Sequence, residues 1–326
     1  MQAFAPAVAF VVSVALVRAF LSSVGRRLFL DHPNPRSLHA APIPRTGGLG
    51  LMPAALLGML MVGGAVPAVL VALALTLLSL VDDWKSLPAA VRLPLHLAAA
   101  VGFVVLELPP LHWFLTIVFA ITIGWMTNLY NFMDGSDGLA GGMALIGFGV
   151  YAAGAAVGGD LDFALVNLAI AAAAAGFLVF NFPPARVLMG DAGSIPLGFL
   201  AGGLGLQGWQ DGLWPLWFPL VTFGPFIVDA SITLARRALR GEKLWQAHRS
   251  HYYQRLVLSG WSHRRTALWE YTAPGAVHDR RHKGGRLSNG RYVCSPGVPH
   301  QAGRAVHAPR QHATPAQPRF SPGWGP

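Results

Sequence analysis

Long runs of apolar residues with few charges recur along this chain, and they limit the folds that it can adopt. Crossing about 30 Å of hydrocarbon takes about 20 helical residues. The runs lack the strict alternation of a half-buried strand and the single apolar stripe of a surface helix. They lie at residues 3–21, 48–64, 66–81, 93–108, 111–127, 139–158, 163–180, 195–209 and 213–235. The sequence therefore predicts an all-α, polytopic transmembrane helix bundle with about nine recognisable spans.

The composition agrees with this prediction. Only 12% of the 326 residues are charged, whereas about a quarter are charged in a typical soluble domain. Gly, Ala and Pro are abundant within the runs, which suits close helix packing in lipid. No small-residue cleavage site precedes Arg26, so the first run is interpreted as an anchor and not as a signal peptide. The single cysteine, Cys294, excludes a disulfide framework and a multi-cysteine zinc site.

The net charge of +10 would suit nucleic-acid binding, but the positions of the basic residues indicate topology instead. Up to residue 265, Lys and Arg cluster within 18–45, 85–92 and 236–265 and at Arg186. The alternate connections, near 64–67, 108–111, 159–162 and 210–212, contain neither. By the positive-inside rule, the basic connections face the cytoplasm and the N-terminus faces outward. The basic loops are therefore expected to meet membrane lipids and not nucleic acid.

The polar motifs lie in the same alternate connections as the basic residues. They follow the first, third, fifth, seventh and ninth runs, at residues 31–48, 81–85, 128–138, 181–194 and 248–255. Five polar loops on one face indicate a single shared site on the cytoplasmic side. Adjacent carboxylates at Asp82 and Asp83 suit a divalent cation or proton transfer. The alternative for this pair is a polar helix cap.

The third loop carries Asn128, Asn131, Asp134 and Asp137 at a constant spacing of three. On a helical turn these side chains would share one face, offering oxygen ligands for Mg²⁺ and acceptors for a nucleobase or ribose. Polar groups at the end of an apolar helix are costly unless they bind something. The alternative is an Asx-rich turn that caps two helices.

Asp191 lies in a Gly-Asp-Ala-Gly-Ser segment before the eighth run. It is either an N-cap or a ligand of the Mg²⁺ that a diphosphate brings. In the last loop, His248, Arg249 and His251 offer donors for phosphate oxygens, and the two histidines lack a third ligand for zinc.

Arg45 and Arg92 are further candidates for phosphate contacts, although basic residues of this kind also serve as a solvated or headgroup-binding surface. Asp229 lies inside the ninth run, where it either pairs with Arg236 or lines the site. A divalent ion, cationic side chains and acidic groups on one membrane face are typical of phosphoryl transfer, with a lipid phosphate as one substrate.

Taken together, these motifs resemble those of a known superfamily, the polyprenyl-phosphate N-acetylhexosamine-1-phosphate transferases. The resemblance spans roughly residues 20–265 and rests on DHPNPRSLHAAPIPRTGG, VDDWK, NLYNFMDGSDGLAGG, NFPPARVLMGDAGSIPLGF and AHRSHYYQRL. It implies ten or eleven transmembrane helices in a bacterial inner (cytoplasmic) membrane. It also implies Mg²⁺-dependent attack of undecaprenyl phosphate on a UDP-N-acetylhexosamine, with release of UMP. Mn²⁺ is the alternative metal, and a homodimer is a further expectation.

The resemblance also implies roles for the residues at its motif positions. Asn131 and Asp191 are expected to bind the metal, while Asp137, with Asn128 and Asp134, contacts the uridine side. Asp82 and Asp83 are expected to orient or deprotonate the lipid phosphate, or to lie near the metal. The diphosphate and sugar are expected to contact Arg92, His248, Arg249 and His251. The HRSHYYQRL segment resembles the branch that initiates O-antigen synthesis, for which GlcNAc, FucNAc or QuiNAc derivatives are expected as the sugar.

The C-terminal part departs from this superfamily. A further apolar helix is expected from about Thr266, but the composition changes at Pro274 to a basic stretch rich in Pro, Gly, His and Arg. We interpret 1–273 as the transmembrane transferase domain and 274–326 as a disordered tail derived from a frameshift or gene truncation. A genuine basic tail is the alternative. Restoration of an apolar segment by another reading frame near codon 273 would support the frameshift.

Three other functions also occur in proteins that combine membrane helices with polar groups. A CDP-alcohol phosphotransferase needs an Asp-Gly-x-x-Ala-Arg signature, and this match fails because Gly141 follows Ala140. A transporter would place its polar groups near the bilayer midplane, whereas these lie at one face. An inactive member of the resembled superfamily remains compatible with the altered C-terminus.

Overall fold

The chain folds into helices over almost all of its described length. The computed structural model describes residues 1–22, 29–33, 37–39, 41–63, 65–85, 87–108, 112–243 and 248–272. The helices are α1 Ala5–Phe20, α2 Gly47–Val62, α3 Val66–Lys85, α4 Ala89–Glu107, α5 Trp113–Phe132, α6 Leu139–Gly158, α7 Leu161–Asn181, α8 Asp191–Gln210, α9 Trp217–Thr222, α10 Gly224–Leu239, α11 Tyr252–Leu258 and α12 His263–Thr272. A two-residue antiparallel pairing joins β1 (Leu30–Asp31) to β2 (Ile43–Pro44).

Within these residues, six helices are long and apolar enough to cross a membrane: α1 with the 3₁₀ turn before it, and α3 to α7. The apolar α2 is shorter, with 16 residues. Large apolar side chains such as Leu60, Leu70, Val105 and Leu106 are exposed on the outside of these helices, where lipid would contact them. The prediction of an all-α, polytopic membrane bundle is confirmed.

Helix α8 forms the axis of the bundle, and every residue from Ala192 to Leu206 is buried. It packs against α2, α3 and α5, and glycines allow the close approach. A Cβ atom on Gly198 would lie 2.6 Å from the carbonyl oxygen of Met126 and 2.8 Å from Cα of Thr127. Because only hydrogen fits there, α8 lies directly against the backbone of α5, whose end carries polar residues of the site.

The ninth apolar run differs from its prediction as one continuous segment. The structure divides it at Phe223 into the six-residue α9 and the 16-residue α10. Pro225 explains the break, because a proline ring lacks an N–H and clashes with the carbonyl group four residues earlier. Helix α10 then continues beyond the run to Leu239, so that Asp229 is buried in its middle.

The expected further apolar helix near Thr266 is replaced, over the described residues, by the ten-residue α12. One side of α12 is buried through Thr266, Ala267 and Glu270, while Leu268 and Trp269 are exposed. Residues 273–326 lie outside the described part of the chain. The predictions of a disordered basic tail and of a frameshift therefore stay predictions.

The packing of α8 against α5 leads to a stability prediction. Gly198→Ala should destabilise the protein by about 1–3 kcal/mol, because the added methyl group would overlap the α5 backbone. Gly149→Ala is the matched control, since a Cβ atom there would meet nothing within 4 Å. Thermal unfolding in detergent measures both, and equal melting temperatures for the two variants would contradict this packing.

Candidate functional site

The site is centred on Asp191, the first residue of α8. The N-cap of this helix is Gly190, and the Asp191 side chain makes no capping bond. Its carboxylate instead accepts a hydrogen bond from Nη2 of Arg45 at 3.0 Å, and Nη1 of Arg92 lies 3.7 Å away. The N-cap alternative for Asp191 is therefore not what the structure shows.

Backbone pairing brings Arg45 to this position. The Gly47 amide donates to the Leu188 carbonyl at 2.9 Å, the Gly48 amide to Met189 at 2.8 Å, and the Leu188 amide to Pro44 at 2.8 Å. These bonds align the chain before α2 with the chain before α8. Burial disfavours the charge of Arg45, but the attraction of Asp191 and further carboxylates prevails and raises the pKa of Arg45 above its ordinary value.

The two adjacent carboxylates at the end of α3 have different partners. Both oxygens of Asp82 have partners: Oδ2 accepts from Nη1 of Arg92 at 2.7 Å, and Oδ1 accepts from the Leu87 amide at 2.7 Å. Asp82 therefore holds Arg92 and the turn that follows α3, instead of capping free backbone groups of the helix. The Asp83 carboxylate is half-buried and has no hydrogen bond or ion pair with another described residue. The charges acting on it most strongly are those of Asp191 and Arg45.

Helix α5 ends at Phe132, so the predicted helical face holds only for Asn128 and Asn131. Asn128 donates to the Gly124 carbonyl of its own helix at 2.7 Å, and its side chain interacts with His96 of α4. Asn131 donates from Nδ2 to Oγ of Ser194 at 3.0 Å. This bond uses the amide nitrogen and leaves the carbonyl oxygen of Asn131 for a ligand.

The two aspartates of the loop 133–138 have separate surroundings. Oδ2 of Asp134 accepts from the Gly190 amide at 3.1 Å, which places Asp134 beside Asp191. Burial raises the pKa of Asp134 to about 8, with Arg45 opposing the shift and Asp191 adding to it. Oδ2 of Asp137 accepts from the Ala185 amide at 3.0 Å. Asn128, Asp134 and Asp137, the residues expected near the uridine, therefore have three different sets of contacts.

Asn181, at the end of α7, joins two of these loops. Its Oδ1 accepts from the Gly138 amide at 3.0 Å, and its Nδ2 donates to the Val187 carbonyl at 2.8 Å. The sequence placed Asn181 within a motif without indicating this role. Gly138 lies 43 residues from Asn181 in the chain and Val187 lies six residues from it, and nothing in the spacing of the residues reveals either bond.

Asp229 organises the last loop. Its carboxylate accepts from Nδ1 of His251 at 3.1 Å and from the backbone amides of Tyr252 and Tyr253, each at 3.0 Å. Asp229 therefore stabilises the start of α11 and orients His251. The pairing of Asp229 with Arg236 does not occur, because the Arg236 guanidinium lies over the ring of Tyr252.

Ring stacking connects His248 and His251 to Phe132, the last residue of α5. The buried ring of His251 stacks on Phe132 with centroids 6.1 Å apart, and His248 stacks on His251 at 4.9 Å. Burial, with the nearby His251 and Arg237, lowers the pKa of His248 to about 4. Since Nδ1 of His248 accepts from Ser250, the neutral ring presents Nε2–H as its donor. Arg249 is exposed and bonds to no other described residue.

The residues around Asp191 fit a hard divalent cation. Asp82, Asp83, Asp134 and Asp191 supply four carboxylates against the two guanidinium groups of Arg45 and Arg92. Protonation of Asp134 still leaves three carboxylates against two cations. Oxygen ligands with excess negative charge are the preference of Mg²⁺.

Within the described residues, no three His, Cys, Asp or Glu side chains are grouped closely enough to hold a metal by themselves. Mg²⁺ commonly takes one or two protein carboxylates and fills its other positions with water and substrate oxygens. Close to Arg45 and Asn128, two buried polar atoms have no hydrogen-bond partner among the described residues: Oγ1 of Thr46 and Nδ1 of His96. The sequence did not single out either residue.

Comparisons with known proteins give a consistent result. Residues 65–208 match the sequence profile described as Glycosyl transferase family 4. The chain is 31% identical over 292 residues to a probable undecaprenyl-phosphate N-acetylglucosaminyl 1-phosphate transferase of Bacillus subtilis, covering 81% of this chain and 80% of the relative. It is 29% identical to a decaprenyl-phosphate N-acetylglucosaminephosphotransferase of Mycobacterium tuberculosis, covering 80% and 76%. It is 33% identical to a phospho-N-acetylmuramoyl-pentapeptide-transferase of Synechococcus sp., covering 77% and 83%.

The pKa of Asp134 leads to a pH prediction. A folded-state pKa raised from 3.8 to about 8 means that folding favours the protonated group. This stabilisation is complete below about pH 4 and is lost as the pH rises through about 8. Asp134→Asn, which cannot ionise, should therefore gain in melting temperature relative to the wild type between pH 6 and pH 9 in the presence of EDTA. Asp162→Asn, at an exposed carboxylate, is the control, and a difference independent of pH would refute the assignment.

Proposed function

Because this chain belongs to the polyprenyl-phosphate N-acetylhexosamine-1-phosphate transferase superfamily, we propose that it uses a UDP-N-acetylhexosamine and undecaprenyl phosphate as substrates. The chain is an integral membrane protein and a sugar-phosphate transferase. In the proposed reaction, an oxygen of the lipid phosphate forms a bond to the phosphorus that carries the sugar. The bond from this phosphorus to the UMP oxygen breaks, and UMP leaves.

One observation carries the proposal: Arg45 and Arg92 meet at Asp191 while Asp83 beside them has no described partner. Two guanidinium groups at one point suit the oxygens of a diphosphate, which they can bind in a bidentate manner. A carboxylate free of protein hydrogen bonds can accept a proton. The two arginines and Asp83 all lie at or next to helix ends. There, a lipid phosphate can reach them from the membrane, and a nucleotide sugar can reach them from water.

We assign Asp191 and the carbonyl oxygen of Asn131 as the protein ligands of Mg²⁺, with Mn²⁺ as the alternative. When bound, the ion would neutralise charge on the diphosphate and polarise its phosphorus–oxygen bonds. Without a cation, the excess carboxylates around Asp191 would repel a diphosphate.

The different surroundings of the two carboxylates separate their roles. Asp82 holds Arg92 and the turn after α3, so we assign it as a positioning residue. Asp83 is assigned as the base that takes the proton from a monoprotonated lipid phosphate, so that a dianionic oxygen attacks. This assignment follows from the free oxygens of Asp83, because hydrogen bonds that stabilise the charged form of a carboxylate, as at Asp82, make it a poorer proton acceptor.

The remaining residues are assigned to the two ends of the nucleotide sugar. Asp137 is assigned to the uridine side, with Asp134 and Asn128 supporting the loop and the end of α5 near it. His248, Arg249 and His251 are assigned to the sugar and its phosphate. The neutral His248 ring can donate one hydrogen bond from Nε2, while Arg249 is exposed and available to an anionic group.

We propose that the reaction takes place at the cytoplasmic face of a bacterial inner membrane, with the N-terminus of the chain in the periplasm. The clustering of Lys and Arg in alternate connections supports this orientation through the positive-inside rule. The product would be the first lipid-linked sugar of a cell-surface glycan such as a cell-wall polymer or O-antigen. GlcNAc is the first sugar to test, since the Bacillus and Mycobacterium relatives are named for it. A homodimer stays a prediction.

The metal assignment predicts that Asp191→Asn reduces UMP release by roughly 100-fold or more, because charge stabilisation by a metal supplies several kcal/mol. The assay uses purified protein, labelled UDP-GlcNAc, undecaprenyl phosphate and Mg²⁺, and EDTA should stop the wild-type reaction. Asp162→Asn at the opposite end of the bundle is the control. If no UDP-N-acetylhexosamine gives UMP, the proposed activity is wrong; if Asp191→Asn keeps wild-type release, the metal assignment is wrong.

The different roles assigned to Asp82 and Asp83 predict different kinetic effects when each is replaced by asparagine. Asp83→Asn should lower kcat by about 100-fold with little change in the KM for either substrate, since a base contributes 10²–10⁴-fold. Asp82→Asn should mainly raise the KM values, because it weakens the hold on Arg92. Steady-state kinetics with both substrates varied distinguishes these patterns, and a reversed pattern would exchange the two roles.

A further inference from the structure

Helix α12 holds the loop 133–138 at two points. At its first residue, Nδ1 of His263 lies 2.9 Å from Oγ of Ser136 and accepts from the Asp137 amide at 3.3 Å. One residue before the end of α12, the hydroxyl of Tyr271 donates a short hydrogen bond to the Gly138 carbonyl. The loop carries Asp134 and Asp137, so the last described helix bears directly on the candidate site.

Three groups converge on one ring nitrogen of His263. Its Nδ1 is the acceptor for the backbone amide of Asp137, which is the role of a ring nitrogen with a free lone pair. The Ser136 hydroxyl can donate to the same nitrogen. Oδ1 of Asp137 also faces Nδ1, at 3.5 Å. Ser136, His263 and Asp137 therefore do not form a nucleophilic relay, which would need the two partners on different ring nitrogens.

Asp137 is held on its other side by the loop after α7. Its Oδ2 accepts from the Ala185 amide, while its backbone amide donates to His263. The side chain of Asp137 keeps 16% of its surface exposed, so it can still reach a ligand. Between these two contacts, the rotation of the Asp137 backbone and carboxylate is restricted.

We propose that His263 is a positioning residue for nucleotide-sugar binding: its Nδ1 fixes the Ser136–Asp137 backbone and thereby the Asp137 carboxylate. This inference rests on the proposed function, in which Asp137 contacts the uridine side. It assigns to α12 a part in recognition of the nucleotide substrate, separate from the metal and phosphate groups around Asp191.

Substitutions of His263 can test the role of its acceptor nitrogen separately from the size of its ring. His263→Phe keeps a planar ring without an acceptor, and His263→Asn offers a side-chain amide oxygen near the position of Nδ1. Ser136→Ala removes one donor and leaves the histidine. Arg264→Ala is the matched control, since Arg264 is the next residue of α12 and is exposed.

Steady-state kinetics should show a selective effect. His263→Phe should raise the KM for UDP-N-acetylhexosamine about tenfold, the size expected from loss of a partly buried hydrogen-bond acceptor. The kcat and the KM for undecaprenyl phosphate should stay within about twofold, and His263→Asn should recover most of the affinity. Ser136→Ala should shift the same KM by a smaller factor. Thermal unfolding checks that each variant is folded.

The outcomes separate the two levels of the proposal. Equal KM values for His263→Phe and wild type, or equal changes in both KM values, would overturn the positioning role while leaving the proposed function intact. Equilibrium binding of UDP provides a second readout that does not need turnover. A wild-type protein that neither turns over UDP-N-acetylhexosamine nor binds UDP would refute the proposed function, and this inference with it.

Discussion

The contact between Asp191 and two arginines is the interaction on which the site depends. Arg45 precedes α2, Arg92 lies in the first turn of α4, and Asp191 begins α8. A charged group at the edge of an apolar bundle is costly to place without compensation. Here the charges compensate one another only in part, since carboxylates outnumber guanidinium groups. This remaining imbalance makes the site suited to a divalent cation together with an anionic substrate.

The apolar bundle makes this convergence possible. Gly48 and Gly193 lie so close that a Cβ atom on Gly193 would be 2.9 Å from Cα of Gly48. Gly198 lets α8 contact the backbone of α5 in the same way. These close approaches fix the ends of three helices relative to one another. A few backbone hydrogen bonds then suffice to place the polar side chains that lie at these ends.

The sequence predicts the bundle and the gathering of the five polar loops, because apolar length, charge parity and motif order are properties of contiguous segments. The contacts of a single side chain depend on partners that are distant in the chain, and the sequence does not reveal these partners. The constant spacing from Asn128 to Asp137 suggests one helical face, but α5 ends at Phe132 and the two aspartates turn to different neighbours.

Other roles come from buried contacts between residues far apart in the chain. Asp229 meets His251 across 22 residues, and His263 meets Ser136 across 127. Neither pair has a local pattern that distinguishes it from an ordinary buried or exposed polar residue. The difference between Asp82 and Asp83 is likewise invisible in the sequence, since it depends on which carboxylate the Leu87 amide and Arg92 reach.

In the proposed site, Asp191 and Asn131 hold a divalent ion against a nucleotide diphosphate. Pulsed electron paramagnetic resonance of Mn²⁺ bound to the purified protein tests it directly, because Mn²⁺ can replace Mg²⁺ at oxygen sites. With UDP-GlcNAc present, a phosphorus-31 hyperfine coupling to bound Mn²⁺ should appear, and it should be lost in Asp191→Asn. Bound Mn²⁺ without phosphorus coupling, or the same coupling in the Asp191→Asn variant, would contradict the assignment.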